Sequence, residues 1–428
     1  MSIGDLSKKG LVAGAAFLAI VPALNLDKIR NVIDSMTVLV KTVSGTADEG
    51  PGQTQVAAAQ HAPDTPPAVP APAHQTPASP APMPVANAPA GAGVQPAQAP
   101  VIPAPSTAVS PPAPALAANA DASMYRISTA EGLQNIARDL NGYFELDADI
   151  DATLTSQWND GKGFQPIGTD EKPFTGTLAG KGHSITGLTV NRPELNNVGL
   201  FGSTKGASIA GVRLERVNVS GADNVGGLIG HSQETSVKHV SAAGTVRGAE
   251  SVGGLIGWQM GGSVDIAYTS GSVTGKTSAA GGLVGYTNAG ATVDNTYSDA
   301  DVRGADSVGG LIGWNLESTI SRSYAAGAVR GSTDAAGLIG YDEAGTVASS
   351  FWDKDATRQA EGIVSGDDEE NPDLKASGLR TKQMQDPQAF RKLSGWNFDT
   401  IWRFADNRGY PHLAMPEPTS PAATSSAR

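Results

Sequence analysis

Five ring-bearing residues recur along this chain at a nearly constant interval: His231, Trp258, Tyr286, Trp314 and Tyr341, spaced by 27, 28, 28 and 27 residues. Flat rings carried at one fixed rise suit a particular chemistry. An aromatic face packs on the C–H face of a sugar ring, and indole N–H, phenol or imidazole edges reach its hydroxyls. A column of them offers one platform per unit to an extended glycan, or the rings stack on one another and bind nothing. These five are the candidate ligand-binding residues.

The elements that position them are legible in the residues just before each ring. Gly-Leu-Ile-Gly or a near copy begins at Gly199, Gly227, Gly254, Gly282, Gly310 and Gly337, at intervals of 27 or 28 residues. Such a period marks a repeat architecture whose units stack because none buries its apolar face alone. Each unit holds short apolar segments separated by glycine and small polar residues, which read as strands and corners. No unit carries a run of helical period, and glycine falls wherever a helix needs a strong former. The expected fold is all-β, a right-handed parallel β-helix of 27–28-residue coils with capped ends. Stacking then predicts interior columns: Leu200, Leu228, Leu255, Leu283, Leu311 and Leu338; Val237, Val264, Val293, Ile320 and Val347; Val246, Val273, Val302 and Val329. Strand alternation turns the residue after each Leu outward and the ring two positions later outward as well. Tyr268, Tyr297, Tyr324 and Phe351 lie an even number of positions from the second column and read as core or corner packing on its side.

Composition narrows the chemistry. A formal net charge of −12 disfavours a nucleic-acid partner, which requires clustered Lys and Arg. The chain has no cysteine, so disulfides, thiolate metal sites and cysteine nucleophiles are excluded. Arg247, Arg303 and Arg330 align, with Glu250, Asp306 and Asp334 a few residues on, and read as exposed ion pairs of little worth. Acidic residues are spread along the rungs, and the densest run, residues 367–371, reads as a solvated loop. No catalytic residue, metal ligand or cofactor site is assigned.

Five stretches follow. Residues 1–50 pair Lys8-Lys9 with an apolar run over 10–24 and an amphipathic stretch. That run reads as a cleaved signal, as a signal anchor that attaches the chain to a membrane, or as part of a docking helix. Residues 51–122 are rich in Ala and Pro and form a semi-extended, disordered spacer. Residues 123–350 hold the β-helix and 351–415 its C-terminal cap, with a disordered tail over 416–428. In the first of these, residues 129–140 read as a capping helix with Leu133, Ile136, Ala137 and Leu140 on one face. In the second, Thr381 is placed to N-cap a helix toward Leu393, and Trp396, Phe398, Trp402, Phe404 and Tyr410 to cover the final rung.

With those residues in view, the units resemble the GLUG motif, named for its Gly-Leu-x-Gly core. It occurs in bacterial surface and secreted proteins, including filamentous-haemagglutinin-like adhesins and the non-catalytic repeat region of immunoglobulin A peptidases. The stretch from Tyr125 to Asp151, Phe164-Gln-Pro-Ile-Gly168 and Phe351-Trp-Asp353 resemble the same family. The resemblance implies scaffolding and carries no catalytic residue across; the HExxH zinc signature is absent. The expectation is a non-enzymatic, adhesin-like module, secreted or at the bacterial cell surface, that meets a host-surface or matrix glycan or protein. Alternatives are a structural component of an envelope complex and, less favoured by the scattered carboxylates, a polysaccharide lyase or hydrolase.

Overall fold

The computed structural model describes residues 124–366, 374–405 and 408–418. The N-terminal segment with its 10–24 apolar run, the 51–122 spacer, the 367–371 acidic run and most of the 416–428 tail lie outside the described residues.

The repeats wind into a parallel β-solenoid. One face stacks seven parallel strands, among them Phe201–Lys205, Ile229–Gln233, Ile256–Met260, Val284–Asn288, Ile312–Leu316 and Ile339–Glu343. A second is a ribbon of two-residue strands from Val225–Gly226 to Ala335–Ala336. The third is the long sheet that includes Ser236–Arg247 and Ser263–Thr274. Register follows the repeat: Val237 pairs with Val264, Val264 with Val293, Val246 with Val273 and Val273 with Val302. The Leu column and both Val columns are buried throughout. Each such side chain stabilises the stack by about 1.5–3 kcal/mol relative to exposure.

The second glycine of each tetrapeptide has a physical cause. A Cβ on Gly257 would lie 2.4 Å from the backbone N of Val225, and one on Gly285 2.5 Å from that of Val252. The two-residue ribbon of the preceding coil passes so close to this face that only hydrogen fits.

Simple alternation fails at two places. Ile229, Ile256, Val284, Ile312 and Ile339 were expected outward and are fully buried. The amides of Leu255 and Ile256 both donate to the Leu283 carbonyl, at 2.9 and 3.2 Å, so a corner lies between the two residues and both side chains enter the core. The ladder then skips the glycine, pairing Ile229 with Ile256 and His231 with Trp258, and alternation restarts beyond it. The second break lies within the long sheet. His239, Ile266, Asn295, Arg322 and Ser349 all have left-handed backbone, φ 46–53°. This bend reverses the parity between Val264 and Tyr268, so the Tyr268, Tyr297, Tyr324 and Phe351 column leaves the interior. It packs in a separate lateral cluster.

The ends differ from expectation in detail. Thr129 caps a helix over Ala130–Asn135, accepting from the Gly132 amide, and a 3₁₀ turn follows over Ile136–Arg138. Leu133 and Ile136 are buried, but the tighter turn swings Ala137 into solvent. At the other end the ladder runs past the boundary expected at residue 350: Thr346–Asp353 pairs with Leu374–Leu379. Thr381 opens a single turn, Thr381–Met384, capped by Arg380, rather than itself capping a short helix toward Leu393. Pro387 cannot continue that turn, and Asp386 caps a second helix, Pro387–Ser394.

The bulky C-terminal residues do not sit on the last rung. They form a strap that returns along the side of the solenoid over the tyrosine column. Trp396 Nε1 donates to Ser349 O at 2.9 Å, Tyr324 Oη to Pro411 O at 2.8 Å, Trp402 Nε1 to Asn295 Oδ1 at 3.3 Å, and Arg213 to Pro416 O. Tyr268, Tyr297 and Tyr324 stack at centroid spacings of 4.9 Å beneath it, and burial pushes the Tyr297 and Tyr324 hydroxyls well above the usual phenol range.

The arginine column aligns as expected, Arg247 with Thr274, Thr274 with Arg303 and Arg303 with Arg330. Its ion pairs with Glu250, Asp306 and Asp334 do not form. Arg247 turns instead to Asn218 Oδ1 of the preceding coil at 3.4 Å, and ion pairs between coils join Lys238 to Asp265 and Arg322 to Asp294.

Candidate functional site: an aromatic ladder

The five rings form one continuous ladder. His231 pairs with Trp258, Trp258 with Tyr286, Tyr286 with Trp314 and Trp314 with Tyr341. His231 and Trp258 stack at 4.5 Å with 17° between planes, and Trp258 and Tyr286 at 5.8 Å with 24°. Parallelism then fails. Tyr286 and Trp314 are tilted by 49°, and Trp314 and Tyr341 meet edge-on at 85°. The four rings after His231 are half-buried. Trp258 Nε1 donates to Asn288 Oδ1 at 3.2 Å, whereas the Trp314 Nε1 is buried without a partner. Burial raises the Tyr286 hydroxyl above its ordinary range. Gly366 lies against the Tyr341 hydroxyl at the far end.

His231 is the exception. It is buried, stacked on Trp258, and its Nδ1 lies 2.9 Å from Asp170 Oδ1. Asp170 also accepts from Ser203 Oγ at 2.6 Å and from Asn197 Nδ2 at 2.8 Å. Partial burial would raise the Asp170 pKa, but the bonds from Ser203, His231 and Asn197 outweigh it and hold the carboxyl below the usual range. Serine, histidine and aspartate thus meet without forming a nucleophile. Both Ser203 and His231 bind the carboxylate, and no serine–histidine bond activates the hydroxyl. The cluster closes the ladder at this end.

Sequence reasoning missed a polar column on the inner side. Ser232, Gln259, Thr287, Asn315 and Asp342 follow the five rings and are fully buried. Thr287 Oγ1 donates to Asn315 Oδ1 at 2.7 Å, and Asn315 Nδ2 to Asp342 Oδ1 at 2.6 Å. The signal was present, since a polar side chain stands at one offset in every unit. These bonds tie successive coils together directly beneath the rings and fix their rise. Outside, Met260, Asn288 and Leu316 flank the rings as a half-exposed margin. Among the described residues, no group of three or more His, Asp or Glu side chains is placed to hold a metal ion.

Comparison with known proteins gives partial matches. Residues 118–244 match the family described as M26 IgA1-specific metallo-endopeptidase N-terminal region. The repeats are therefore similar to an immunoglobulin A protease-like repeat region. Halomucin of Haloquadratum walsbyi is 40% identical over 133 residues, 29% of this chain and 1% of that protein. A Gly-rich membrane protein of Evansella cellulosilytica is 42% identical over 80 residues, 18% of this chain and 9% of that one. The chain thus spans only a small part of the curated relatives it matches. A crystal structure assigned to an immunoglobulin A1 protease of Bacteroides ovatus has a TM-score of 0.48 at 16% identity, covering 68% of this chain and 93% of the other.

Proposed function

We propose that this chain is a non-enzymatic, adhesin-like binding module of the GLUG-repeat type, secreted or held at the bacterial cell surface, and that its aromatic ladder receives an extended glycan. The observation that carries this reading is the row of half-buried rings, one per coil, on a scaffold that fixes their spacing. Where His231, Trp258 and Tyr286 stack, their faces serve one another. Where the stack breaks at Trp314 and Tyr341, a face is released for a sugar. Asn288, beside the rings, supplies an amide for hydroxyls. The polar column underneath supports the reading because it pre-organises the platform before any ligand arrives. The apolar run over 10–24 is read as an export or attachment segment and 51–122 as an Ala/Pro-rich spacer. The name of the Gly-rich membrane protein supports an envelope location.

A glycan array with the full chain tests this. The intact protein is expected to retain a set of extended glycans. Trp314→Ala should lower retention of neutral extended glycans at least tenfold and the Trp258→Ala/Trp314→Ala pair should abolish it, with far-UV circular dichroism unchanged. Equal retention by the folded double variant would remove the ladder as the site.

A further inference from the structure

Away from the ladder, a cleft of about 610 Å³ opens at the N-terminal end of the solenoid, where the capping helix meets the first coils. One wall is the 3₁₀ turn with Asn135 and Arg138; the other is the turn carrying Trp158 and Asn159. The walls are locked together before any ligand binds. Gln134 Nε2 donates to Gln165 O and Gln165 N to Gln134 Oε1, both at 2.9 Å. Asn159, held at φ 52°, donates from Nδ2 to Gly163 O at 2.7 Å, which fixes the rim and leaves its Oδ1 open.

What faces the cleft is unspent. Trp158 packs one side toward the buried Phe164, at 6.3 Å and 22°, and is half-buried. Its indole N–H makes no hydrogen bond. Arg138 has no carboxylate within ion-pair distance among the described residues, and neither its guanidinium nor the Asn135 amide is bonded. The cleft is shallow and open to solvent, with exposed Asn135, Arg138 and Asn159 around the half-buried Trp158.

We propose that this cleft binds a carboxylate-bearing pyranose, a sugar acid at the end of or within a glycan. Trp158 offers a flat apolar surface for the C–H face of the ring. Arg138 takes the carboxylate, for which the planar guanidinium fork is matched. The Asn135 amide, the Asn159 carbonyl oxygen and the Trp158 N–H meet the hydroxyls. A neutral sugar would leave the guanidinium without its counter-charge, and a simple carboxylate would leave the aromatic surface bare. The site stands on its own residues and does not depend on the ladder.

The test uses the full chain with tetragalacturonic acid, sialyllactose and the neutral tetragalactose, read by saturation-transfer NMR and isothermal titration. At least one of the two acidic sugars should bind, at least tenfold more tightly than tetragalactose. Arg138→Ala should raise its Kd at least tenfold, and Arg138→Lys should recover only part of that loss. Trp158→Phe, which keeps a ring against Phe164, should weaken binding severalfold with the thermal midpoint nearly unchanged. Trp258→Ala/Trp314→Ala should leave this binding intact, which separates the cleft from the ladder. Absence of transfer to both acidic sugars, a Kd for Arg138→Ala within twofold of the parent, or equal binding of an acidic peptide would overturn the proposal.

Discussion

Replacing Trp402 with alanine is expected to detach the C-terminal strap while leaving the coils wound. Trp402 is fully buried, stacked on Trp396 at 4.3 Å, and close to Tyr297 and Tyr324 at 6.2 and 6.0 Å. Its N–H also reaches Asn295 of the solenoid. Deleting a buried Trp side chain costs about 3–5 kcal/mol. Among the described residues, a single lateral cluster containing Leu379, Met384, Phe390, Trp396, Phe404 and Leu413, with a few hydrogen bonds, holds the strap down. The loss therefore falls on that unit, which opens as a separate cooperative segment. Hydrogen exchange read by mass spectrometry should show fast exchange over 380–417, with protection kept in Ile256–Met260 and Ile312–Leu316. Uniform loss of protection through the coils, or none in the strap, would show that the strap is not an independent layer.

The second large effect is expected at Gly285. A side chain there points at the backbone between Ser251 and Val252, whose atoms lie 2.5 Å from the Cβ position. Backbone on a paired strand cannot step aside as a rotamer can. Gly285→Val should cost more than about 3 kcal/mol, at or beyond the upper end of ordinary overpacking. A change in mid-solenoid removes support from the coils on both sides, since each touches only its neighbours. Thermal denaturation should show a large drop in the midpoint or loss of the folded state. Thr274→Val, at a half-exposed strand position, should change it little. A Gly285→Val protein as stable as the parent would mean that the two faces are not in such close approach.

The periodic part of the fold was legible because stacking copies one residue type down each column. The Leu and Val columns, the arginine column and the ring ladder all came from that regularity. What failed was parity within a coil. Ile266 and Arg322 adopt left-handed backbone although neither residue type signals it, and only His239 and Asn295 in that column are usual occupants. The bend is imposed by stacking on equivalent corners above and below, a tertiary cause with no local signature. The corner between Leu255 and Ile256 was hidden likewise, since two adjacent aliphatics suit either a strand or a bend. The strap was visible as bulky residues after Leu379, but its path is set by the tyrosine column it covers, and that column reads from sequence as core or corner packing on the side of the second Val column. The five rings stand in one column, as their period predicts. The closure of His231 by Asp170 was not, because they stand 61 positions apart with no shared period. The Trp158 cleft was missed for a similar reason, being assembled from two non-repeating turns.

All of this rests on successive coils lying in register, and the absence of native cysteine permits a direct measurement. Thr274 and Arg303 are register partners on adjacent coils, and Arg330 stands one coil further. Adjacent parallel strands are about 4.8 Å apart, within the roughly 4.4–6.8 Å that a disulfide spans between Cα atoms. Two coils apart, the gap of about 9.6 Å exceeds that reach. Under mild oxidation at low protein concentration, Thr274→Cys/Arg303→Cys should close an intramolecular disulfide, and Thr274→Cys/Arg330→Cys should keep both thiols free. Equal cross-linking of both pairs, or failure of the adjacent pair in a folded protein, would contradict the stacking on which the ladder depends.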